Sequence, residues 1–203
     1  MKPDWSLEDI LIQQGYKSIA GIDEAGRGAL AGSVVVGVVS LPRADYAFRD
    51  SKTLTFLQRQ KMAKEIKEIA INWAIGCASA KEVDKLNVLA ATHLAAKRAL
   101  KEFSQSICLD AVVTDYLKLI SPLEVLAPAR ADSKSFQVAA ASILAKDFRD
   151  NEMISLAKDY PEYGFEKNKG YGSLEHRQAL AKYGPTKIHR YSFKPVSQVA
   201  LFL

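Results

Sequence analysis

The sequence Ser18-Ile-Ala-Gly-Ile-Asp-Glu-Ala-Gly-Arg-Gly28 passes from a β-rich run into a flexible, cationic turn. Residues 18–23 and residues 33–41 both have strand composition, and the glycines between them would let the chain turn back into a hairpin. Asp23 and Glu24 then lie where the first strand ends. Carboxylates gathered at a sheet end suit Mg²⁺ or Mn²⁺, whereas the absence of nearby His and Cys argues against zinc. Taken alone, an Asp-Glu pair is also typical of a solvated acidic turn.

The rest of the chain alternates between helical and strand-like segments, which predicts an α/β layer with a partly antiparallel sheet. Further strands are expected at residues 71–79, 111–114 and 123–127, and helices at residues 56–70, 83–103, 135–158 and 174–182. Asp115 directly follows one predicted strand, and Asp132 lies just before the longest predicted helix. Two more carboxylates therefore fall at the ends of elements.

Length and composition favour one domain with small appendages, residues 1–203, over two domains. A hydrophobic content of 48% and a charged content of 25% exclude the disordered and fibrous classes. The net charge of +5 favours a polyanionic partner. A basic face is expected in the C-terminal third, formed by Lys167, Lys169, Arg177, Lys182, Lys187, Arg190 and Lys194.

Neither a membrane span nor a secretory signal is expected. The longest apolar runs, at residues 34–39 and 138–145, are far shorter than the roughly 20 residues that cross a bilayer. The first residues lack a basic region followed by an apolar stretch, so a cytoplasmic protein is expected. Cys77 and Cys108 stand singly in apolar sequence, which predicts two reduced core cysteines.

On its motifs the chain resembles the ribonuclease HII family, from Gly21 to Val196. The matching motifs occur in order: Asp23-Glu-Ala-Gly-Arg-Gly28, Asp50-Ser-Lys52, Asn87 with Ala91-Thr92, Ala139-Ala-Ala-Ser-Ile-Leu-Ala-Lys146, Gly170-Tyr-Gly-Ser173 and His189-Arg-Tyr-Ser-Phe193. The resemblance implies a ribonuclease H-like fold, in which a mixed five-stranded sheet is flanked by helices. It also implies a small C-terminal helical part at about residues 160–196.

The resemblance further implies an endonuclease that cuts the RNA strand of RNA–DNA hybrids and cuts 5′ of single ribonucleotides in duplex DNA. Such an enzyme would act in ribonucleotide removal during replication and repair. Two divalent ions, Mg²⁺ or Mn²⁺, would be held by the residues that match the family's acidic positions, Asp23, Glu24, Asp115 and Asp132. The products would carry 3′-hydroxyl and 5′-phosphate ends.

Three other acidic residues are expected to lie outside the metal-binding set. Asp110 precedes the strand at residues 111–114, so it would lie at the opposite end of the sheet from Asp23 and is expected on the surface. Asp147 and Asp150 are expected to form surface or helix ion pairs. Tyr116 follows Asp115 where the family usually has glycine, which bears on the local backbone shape.

The resemblance also assigns the substrate contacts. The backbone of Gly26, Arg27 and Gly28 would contact the ribose 2′-hydroxyl, the group that distinguishes RNA from DNA. Tyr171 would pack on the adjoining deoxyribose, although an isolated tyrosine is also typical of core or turn packing. The phosphate contacts would be Lys52, Ser133 and Lys134. His93 is expected to be structural, and His176 and His189 match the family without an assigned chemical step.

The last residues resemble the short Gln-x-x-Leu-Phe tails that bind bacterial sliding clamps, through Gln198, Leu201 and Phe202 within residues 198–203. Packing of this tail on its own domain is the alternative. Two alternatives to the function also stay open: the related ribonuclease HIII, against which Arg27 in the Gly-x-Gly turn argues, and a non-catalytic basic module that only holds hybrids. A monomer is the default expectation.

Overall fold

The structure is a computed structural model that describes residues 3–48, 51 and 53–201. Its strands are β1 (Ile19–Ala25), β2 (Val34–Ser40), β3 (Asn72–Ala78), β4 (Ala111–Thr114) and β5 (Glu124–Leu126). Its helices are α1 (Ser6–Gln13), α2 (Phe56–Ile69), α3 (Ala80–Leu86), α4 (Val88–Phe103), α5 (Phe136–Leu156), α6 (Phe165–Asn168), α7 (Leu174–Tyr183) and α8 (Lys194–Ala200). Within these described residues no helix is long and apolar enough to span a membrane.

The five strands form one mixed sheet in the order β3-β2-β1-β4-β5. Strands β1, β2 and β3 are joined by antiparallel pairing, whereas β4 and β5 run parallel to β1. The expected hairpin and third antiparallel strand are confirmed, and so is the mixed five-stranded sheet. Because β1 and β4 are parallel neighbours, their carboxyl ends open at the same edge of the sheet.

The sheet is covered on both faces, and β2 divides the two cores by strict alternation. Val36 and Val38 pack with α4, whereas Val39 packs with α5 on the opposite face. Both cores are rich in alanine on the helix side, so the helices approach the sheet closely. The sheet edge that carries the carboxylates is thus held between two rigid layers.

Strand glycines make this close approach possible. A Cβ atom on Gly21 would lie 2.2 Å from the carbonyl carbon of Gln137, and one on Gly37 would lie 2.6 Å from the Ala141 oxygen. Gly76 has the same role beneath α4, where a Cβ would lie 2.1 Å from the Ala95 oxygen. The glycines of β1 and β2 therefore bring α5 close enough for its side chains to reach the end of β1.

The helix expected at residues 83–103 is two helices, α3 and α4, and the prediction of one helix was wrong. Asn87 breaks it with a left-handed backbone, φ 68°, and its side chain then accepts hydrogen bonds from the amides of Leu89 and Ala90. The apolar spacing continues through the break because both helices pack on the same core. Helices α1 and α8 were not predicted.

The C-terminal part is helical, as expected, and has its own small core. Tyr163, Phe165, Leu180 and Val196 pack there with residues from the rest of the fold, including Met153 of α5. This core also includes the chain that follows the Gly26 turn, through Leu30 and Ala31. The C-terminal helices thus pack directly behind the carboxylate edge.

Several surface and core assignments need correction. Cys108 is exposed in the loop before β4 and Cys77 is half-buried, so the expectation of two core cysteines was wrong. Asp147 and Asp150 are buried rather than on the surface, although Asp150 does form the expected pair within its helix, with Lys146. Arg190 is fully buried and cannot contribute to a basic face. Asp110 is exposed, as expected.

Candidate active site

The register of β1 and β4 brings two carboxylates together. Ile22 pairs with Thr114 in the parallel ladder, and the next residue on each strand is an acid, Asp23 and Asp115. Adjacent strands lie about 4.8 Å apart, and residues in register point to the same face. Asp23 pairs with Gly37 on its other side, which identifies that face as the one covered by α5.

These residues line a cleft of about 160 Å³ at the carboxyl end of the sheet. Its lining comprises Asp23, Glu24, Ala25, Gly26, Ser51, Asp115, Ser142, Lys146 and Tyr171. Five sequence-predicted site residues are therefore brought together. Larger cavities exist elsewhere, but this one is where the carboxylates converge.

The carboxyl of Asp23 is in an unfavourable electrostatic environment. Its side chain is only 8% exposed, and burial raises its pKa well above the usual range for an aspartate. The neighbouring negative charges of Glu24 and Asp115 raise the pKa further, while a hydrogen bond from Ser142 opposes them. Glu24 is paired with Arg27, with 3.0 Å between Oε1 and the guanidinium. A cation placed among these carboxylates would relieve their repulsion.

Sequence reasoning missed three polar residues of the lining, Ser51, Ser142 and Lys146. The hydroxyls of Ser51 and Ser142 are 2.9 Å apart, so Ser51 supports the serine that contacts Asp23. The ammonium of Lys146 donates to Asp150 at 2.7 Å, and Arg59 donates to the other oxygen of that carboxylate at 2.7 Å. All three lie within motifs that resemble the family, Asp50-Ser-Lys52 and Ala139–Lys146, and these motifs were the available signal.

Asp132 lies next to Asp115 through the backbone. Residues Ala131–Ser133 form a short 3-10 helix, and the amide of Ala131 donates to the Asp115 carboxylate at 3.1 Å. The Ser133 hydroxyl donates to the carbonyl of Arg130 within the same turn. Asp132, Ser133 and Lys134 are outside the lining of the cleft but flank it on the Asp115 side.

Tyr116 has the backbone conformation that glycine would favour. Its φ is 59°, in the left-handed region, and its side chain is 73% exposed. Its amide donates to the Pro128 carbonyl at 3.2 Å, which keeps the turn after β4 in place. The tyrosine therefore preserves the local backbone shape at the cost of strain beside Asp115.

Two buried arginines that were not predicted fix the turn containing Gly26, Arg27 and Gly28. Arg190 donates to the carbonyls of Arg27, Gly32 and Ser33, and Arg149 donates to those of Ala31, Ser33 and Lys169. Gly26 has φ 91°, and a Cβ there would lie 2.0 Å from Nε of Arg149. Gly28, in contrast, faces open space and is accessible to a ligand.

Tyr171 forms the opposite wall of the cleft and is 36% exposed. Its ring lies over two cations, with 5.3 Å from its centroid to Lys146 and 5.0 Å to Arg149. The ring is therefore held by packing and cation–π contacts while one side stays open to solvent.

The donor set fits a hard divalent cation, because it consists of carboxylates whose burial and mutual repulsion raise the pKa of Asp23. In the described part of the chain, no three acidic, His or Cys side chains are close enough to form a preformed metal cage. Mg²⁺ commonly takes only about one or two protein carboxylates and completes its shell with water and substrate phosphates. The open arrangement of carboxylates in the cleft is consistent with this coordination of Mg²⁺.

Some predicted residues lie outside this cleft or outside the described residues. Lys52 and Phe202 belong to the latter group, so their proposed contacts are untouched by the structure. Gln198 is exposed on α8, and Leu201, just past the helix, is 82% exposed. His93 is half-buried on α4, and His176 and His189 are buried behind Tyr171.

Comparison with known proteins agrees with these features. The family model for Ribonuclease HII matches residues 20–196. A Ribonuclease HII of Thermus thermophilus is 54% identical over 183 residues, covering 90% of this chain and 89% of the relative. Ribonuclease HII of Syntrophotalea carbinolica is 45% identical over 200 residues, covering 95% and 92%.

Solved structures share the fold. The ribonuclease H2 of Pyrococcus horikoshii OT3 has a TM-score of 0.71 at 25% identity and covers 92% of this chain and 98% of its own. The ribonuclease HII in a PCNA complex from Archaeoglobus fulgidus has a TM-score of 0.73 at 27% identity, covering 89% and 96%. Bst-RNase HIII in complex with Mn²⁺ has a TM-score of 0.73 at 21% identity, covering 91% and 70%. On the family match and the close relatives, this chain belongs to the ribonuclease HII family of ribonuclease H endonucleases.

Proposed function

We propose that the chain hydrolyses the RNA strand of RNA–DNA hybrids and cuts duplex DNA on the 5′ side of a single embedded ribonucleotide. The observation that carries the proposal is the β1–β4 register, by which Asp23 and Asp115 lie side by side in a cleft walled by Gly26 and Tyr171. Family membership supports the reaction class. The role would be ribonucleotide removal during DNA replication and repair, by one catalytic unit spanning the chain.

Asp23, Glu24, Asp115 and Asp132 are the residues that would hold two divalent ions, Mg²⁺ or Mn²⁺. When bound, the ions would supply an activated water and stabilise the leaving oxygen of an in-line displacement. Ser142 would keep the Asp23 carboxylate oriented, and the Asp150 pair would keep the Lys146 ammonium at the cleft wall. The products would be a 3′-hydroxyl and a 5′-phosphate.

Recognition of the ribonucleotide would use the open backbone of the Gly26-Arg27-Gly28 turn. Only the 2′-hydroxyl distinguishes the ribose from its neighbour, and rigid backbone groups can test for it at short range. The buried arginines support this because they keep the turn rigid. Tyr171 would contact the adjoining deoxyribose, and Lys52, Ser133 and Lys134 would contact phosphates.

The test is cleavage of a DNA duplex that carries one ribonucleotide, with Mg²⁺ or Mn²⁺. Asp23→Asn is the inactive variant, and Asp110→Asn is a matched control, because Asp110 is an exposed aspartate at the opposite end of β4. We expect a metal-dependent cut 5′ of the ribonucleotide in the wild type and in Asp110→Asn, and none in Asp23→Asn.

The other outcomes select the alternatives. Cleavage of a continuous hybrid without cleavage at a single ribonucleotide would favour the specificity associated with ribonuclease HIII. Metal-independent binding without any cleavage would favour the basic binding module. Equal activity of Asp23→Asn and wild type would remove Asp23 from the metal-binding set.

A sliding clamp is proposed as a partner of the C-terminal tail. Leu201 is 82% exposed, which supports an available tail over one packed on its own domain. The archaeal ribonuclease HII with a related fold forms a complex with PCNA. We expect the full chain to bind a bacterial clamp, Leu201→Ala to lose that binding, and the matched control Leu57→Ala to retain it. Equal binding by both variants would contradict the assignment.

The cytoplasmic location and the monomeric state stay predictions.

A further inference from the structure

His176 and His189 form a buried pair behind the Tyr171 turn. Their Nε2 atoms are 3.0 Å apart, and both side chains are almost completely buried. The rings of Tyr163 and Phe165 surround them, with centroid distances of 5.0 Å from Tyr163 to His189 and 5.3 Å from Phe165 to His176. In the described residues neither imidazole is hydrogen-bonded to a carboxylate. The chemistry proposed above does not use the pair.

The backbone determines the tautomer of each ring. The amide of Thr186 can only donate, and it lies 2.9 Å from Nδ1 of His189, so the His189 proton is on Nε2. That Nε2–H donates to Nε2 of His176, which leaves the His176 proton on Nδ1. The Nδ1–H then donates to the Tyr171 carbonyl at 2.9 Å. The four groups form a chain of hydrogen bonds with one direction.

The turn at the end of this chain is tied to the other wall of the site. The Tyr171 carbonyl also accepts from the Ser173 amide, and the Gly170 carbonyl accepts from the amides of Leu30 and Ala31. Gly170 has a left-handed φ of 78°, and a Cβ there would lie 2.6 Å from the Ala31 oxygen. The Tyr171 turn is therefore clamped between the histidine pair and the chain that leaves the Gly26 turn.

We infer that His176 and His189 are positioning residues for Tyr171, acting as a neutral hydrogen-bond relay that fixes its carbonyl and hence the orientation of its ring at the cleft. The inference rests on the substrate role proposed for Tyr171. A proton added to Nε2 of His176 would set two N–H groups against each other across 3.0 Å, and one added to Nδ1 of His189 would face the Thr186 amide N–H across 2.9 Å. Either proton would break the relay.

The surroundings keep the relay neutral. Burial lowers the pKa of His176, and burial together with the neighbouring His176 lowers the pKa of His189 to about 4. The nearby Arg190 guanidinium is directed at carbonyls, and the Tyr163 hydroxyl donates to the carbonyl of Gly184. In the described residues, no acidic group acts on the pKa of either ring, so no neighbouring charge stabilises an imidazolium.

The tautomers can be tested without any substrate, by ¹⁵N NMR of the histidine side chains in the intact protein at pH 7. We expect protonated Nδ1 in His176 and protonated Nε2 in His189, with the half-buried His93 as an internal reference. An imidazolium in either ring, or the reverse tautomers, would overturn the relay. This measurement is decisive even if the protein cleaves neither proposed substrate, so failure of the relay and failure of the proposed function are distinguishable.

The effect of the relay on substrate recognition can be tested with two variants of His176. His176→Asn retains a donor at the Nδ1 position and cannot be protonated, whereas His176→Leu removes the donor. On a duplex with a single ribonucleotide, we expect His176→Leu to raise KM about tenfold with a smaller change in kcat. His176→Asn and a His93→Asn control should stay near wild type. A folded His176→Leu variant with unchanged KM would overturn the inference.

The pH profile provides a readout that a purely structural role would not change. As the pH falls toward 4, the KM of the wild type should rise more steeply than that of His176→Asn, because protonation of His176 at Nε2 breaks the contact with His189 that orients its ring against the Tyr171 carbonyl, whereas asparagine does not titrate. Identical profiles for the two proteins would contradict the relay. This comparison also decides the matter if His176→Leu does not fold.

Discussion

Two sets of buried charged side chains adjoin the Gly26 turn. The arginines have hydrogen-bond acceptors, whereas the carboxylates have like-charged neighbours. Arg149 and Arg190 each donate to three backbone carbonyls, so all three nitrogens of each guanidinium have an acceptor. Asp23 instead lies beside two other carboxylates that raise its pKa. The arginines hold the framework, whereas the carboxylates keep a repulsion that a ligand would relieve. The contrast suggests that stability and activity depend on different members of the site.

The largest effect is expected from replacing a carboxylate of the cleft, which should lower cleavage without lowering stability. We expect Asp23→Asn to lower cleavage on the order of a thousandfold or more, because a residue in the proposed metal-holding role would contribute several kcal/mol to the transition state. Without divalent ions, its free energy of unfolding should stay unchanged or increase, because a repelled buried charge is removed. Parallel kinetics and urea denaturation test this. A loss of stability with retained activity would reverse the comparison.

The next largest effect is expected from replacing one of the two buried arginines, which should lower the free energy of unfolding. Arg190→Met would leave the carbonyls of Arg27, Gly32 and Ser33 without this donor, at a cost of about 3 kcal/mol in the free energy of unfolding. Arg190→Lys should be intermediate, because lysine lacks the planar fork. Urea denaturation measures the change, with the exposed Arg177→Met as the matched control. Similar stabilities of the Arg190 and Arg177 variants would show that the arginine is not an anchor.

The histidine pair on the arginine side sharpens the comparison through pH. The folded pKa of His189, about 4, lies below its ordinary value of 6.5, so the unfolded chain binds more protons between these values. Its contribution is complete above pH 6.5 and is lost as the pH falls toward 4, by up to about 3 kcal/mol. Denaturation of wild type and His189→Gln across this range isolates the contribution. A wild-type profile that matches His189→Gln would argue against it.

The smallest effect concerns strain on the carboxylate side. Tyr116→Gly should increase the free energy of unfolding by less than about 1 kcal/mol, because the left-handed strain is relieved while the unfolded chain gains freedom. Thermal unfolding measures the change, and Tyr116→Ala, which keeps the strain, is the control. A decrease on introducing glycine would mean that the exposed tyrosine makes contacts worth more than its strain.

The strands and most helices could be predicted because local pattern and packing agree in them. The break at Asn87 could not, because the apolar spacing of one helix continues into the next and only a capping side chain marks the boundary. Arg149, Arg190 and Asp150 were missed as buried residues because charge ordinarily indicates surface. The carbonyls that the arginines contact and the Arg59 guanidinium that contacts Asp150 are distant in sequence.

The candidate site likewise contains residues that could be predicted from the sequence and residues that could not. Asp23, Glu24 and Asp115 could be located from strand ends, and their meeting follows from the parallel register. The supports behind them include Ser51 and the histidine pair. The matching motifs contain Ser51 and His189, but not the contacts that these residues make with other segments.

The pairing of β1 with β4 also sets the order in which the protein can acquire its activity. Strands β1, β2 and β3 come first in the chain and can pair as soon as they are made. Strand β4 can pair with β1 only after α2, α3 and α4 have been synthesised. Such distant contacts form late in folding because closing the intervening loop is entropically costly. A nascent chain ending before β4 would carry Asp23 and Glu24 without Asp115, and one ending before Arg190 would lack the anchor of the Gly26 turn. Chains interrupted during synthesis would then lack a complete cutting site.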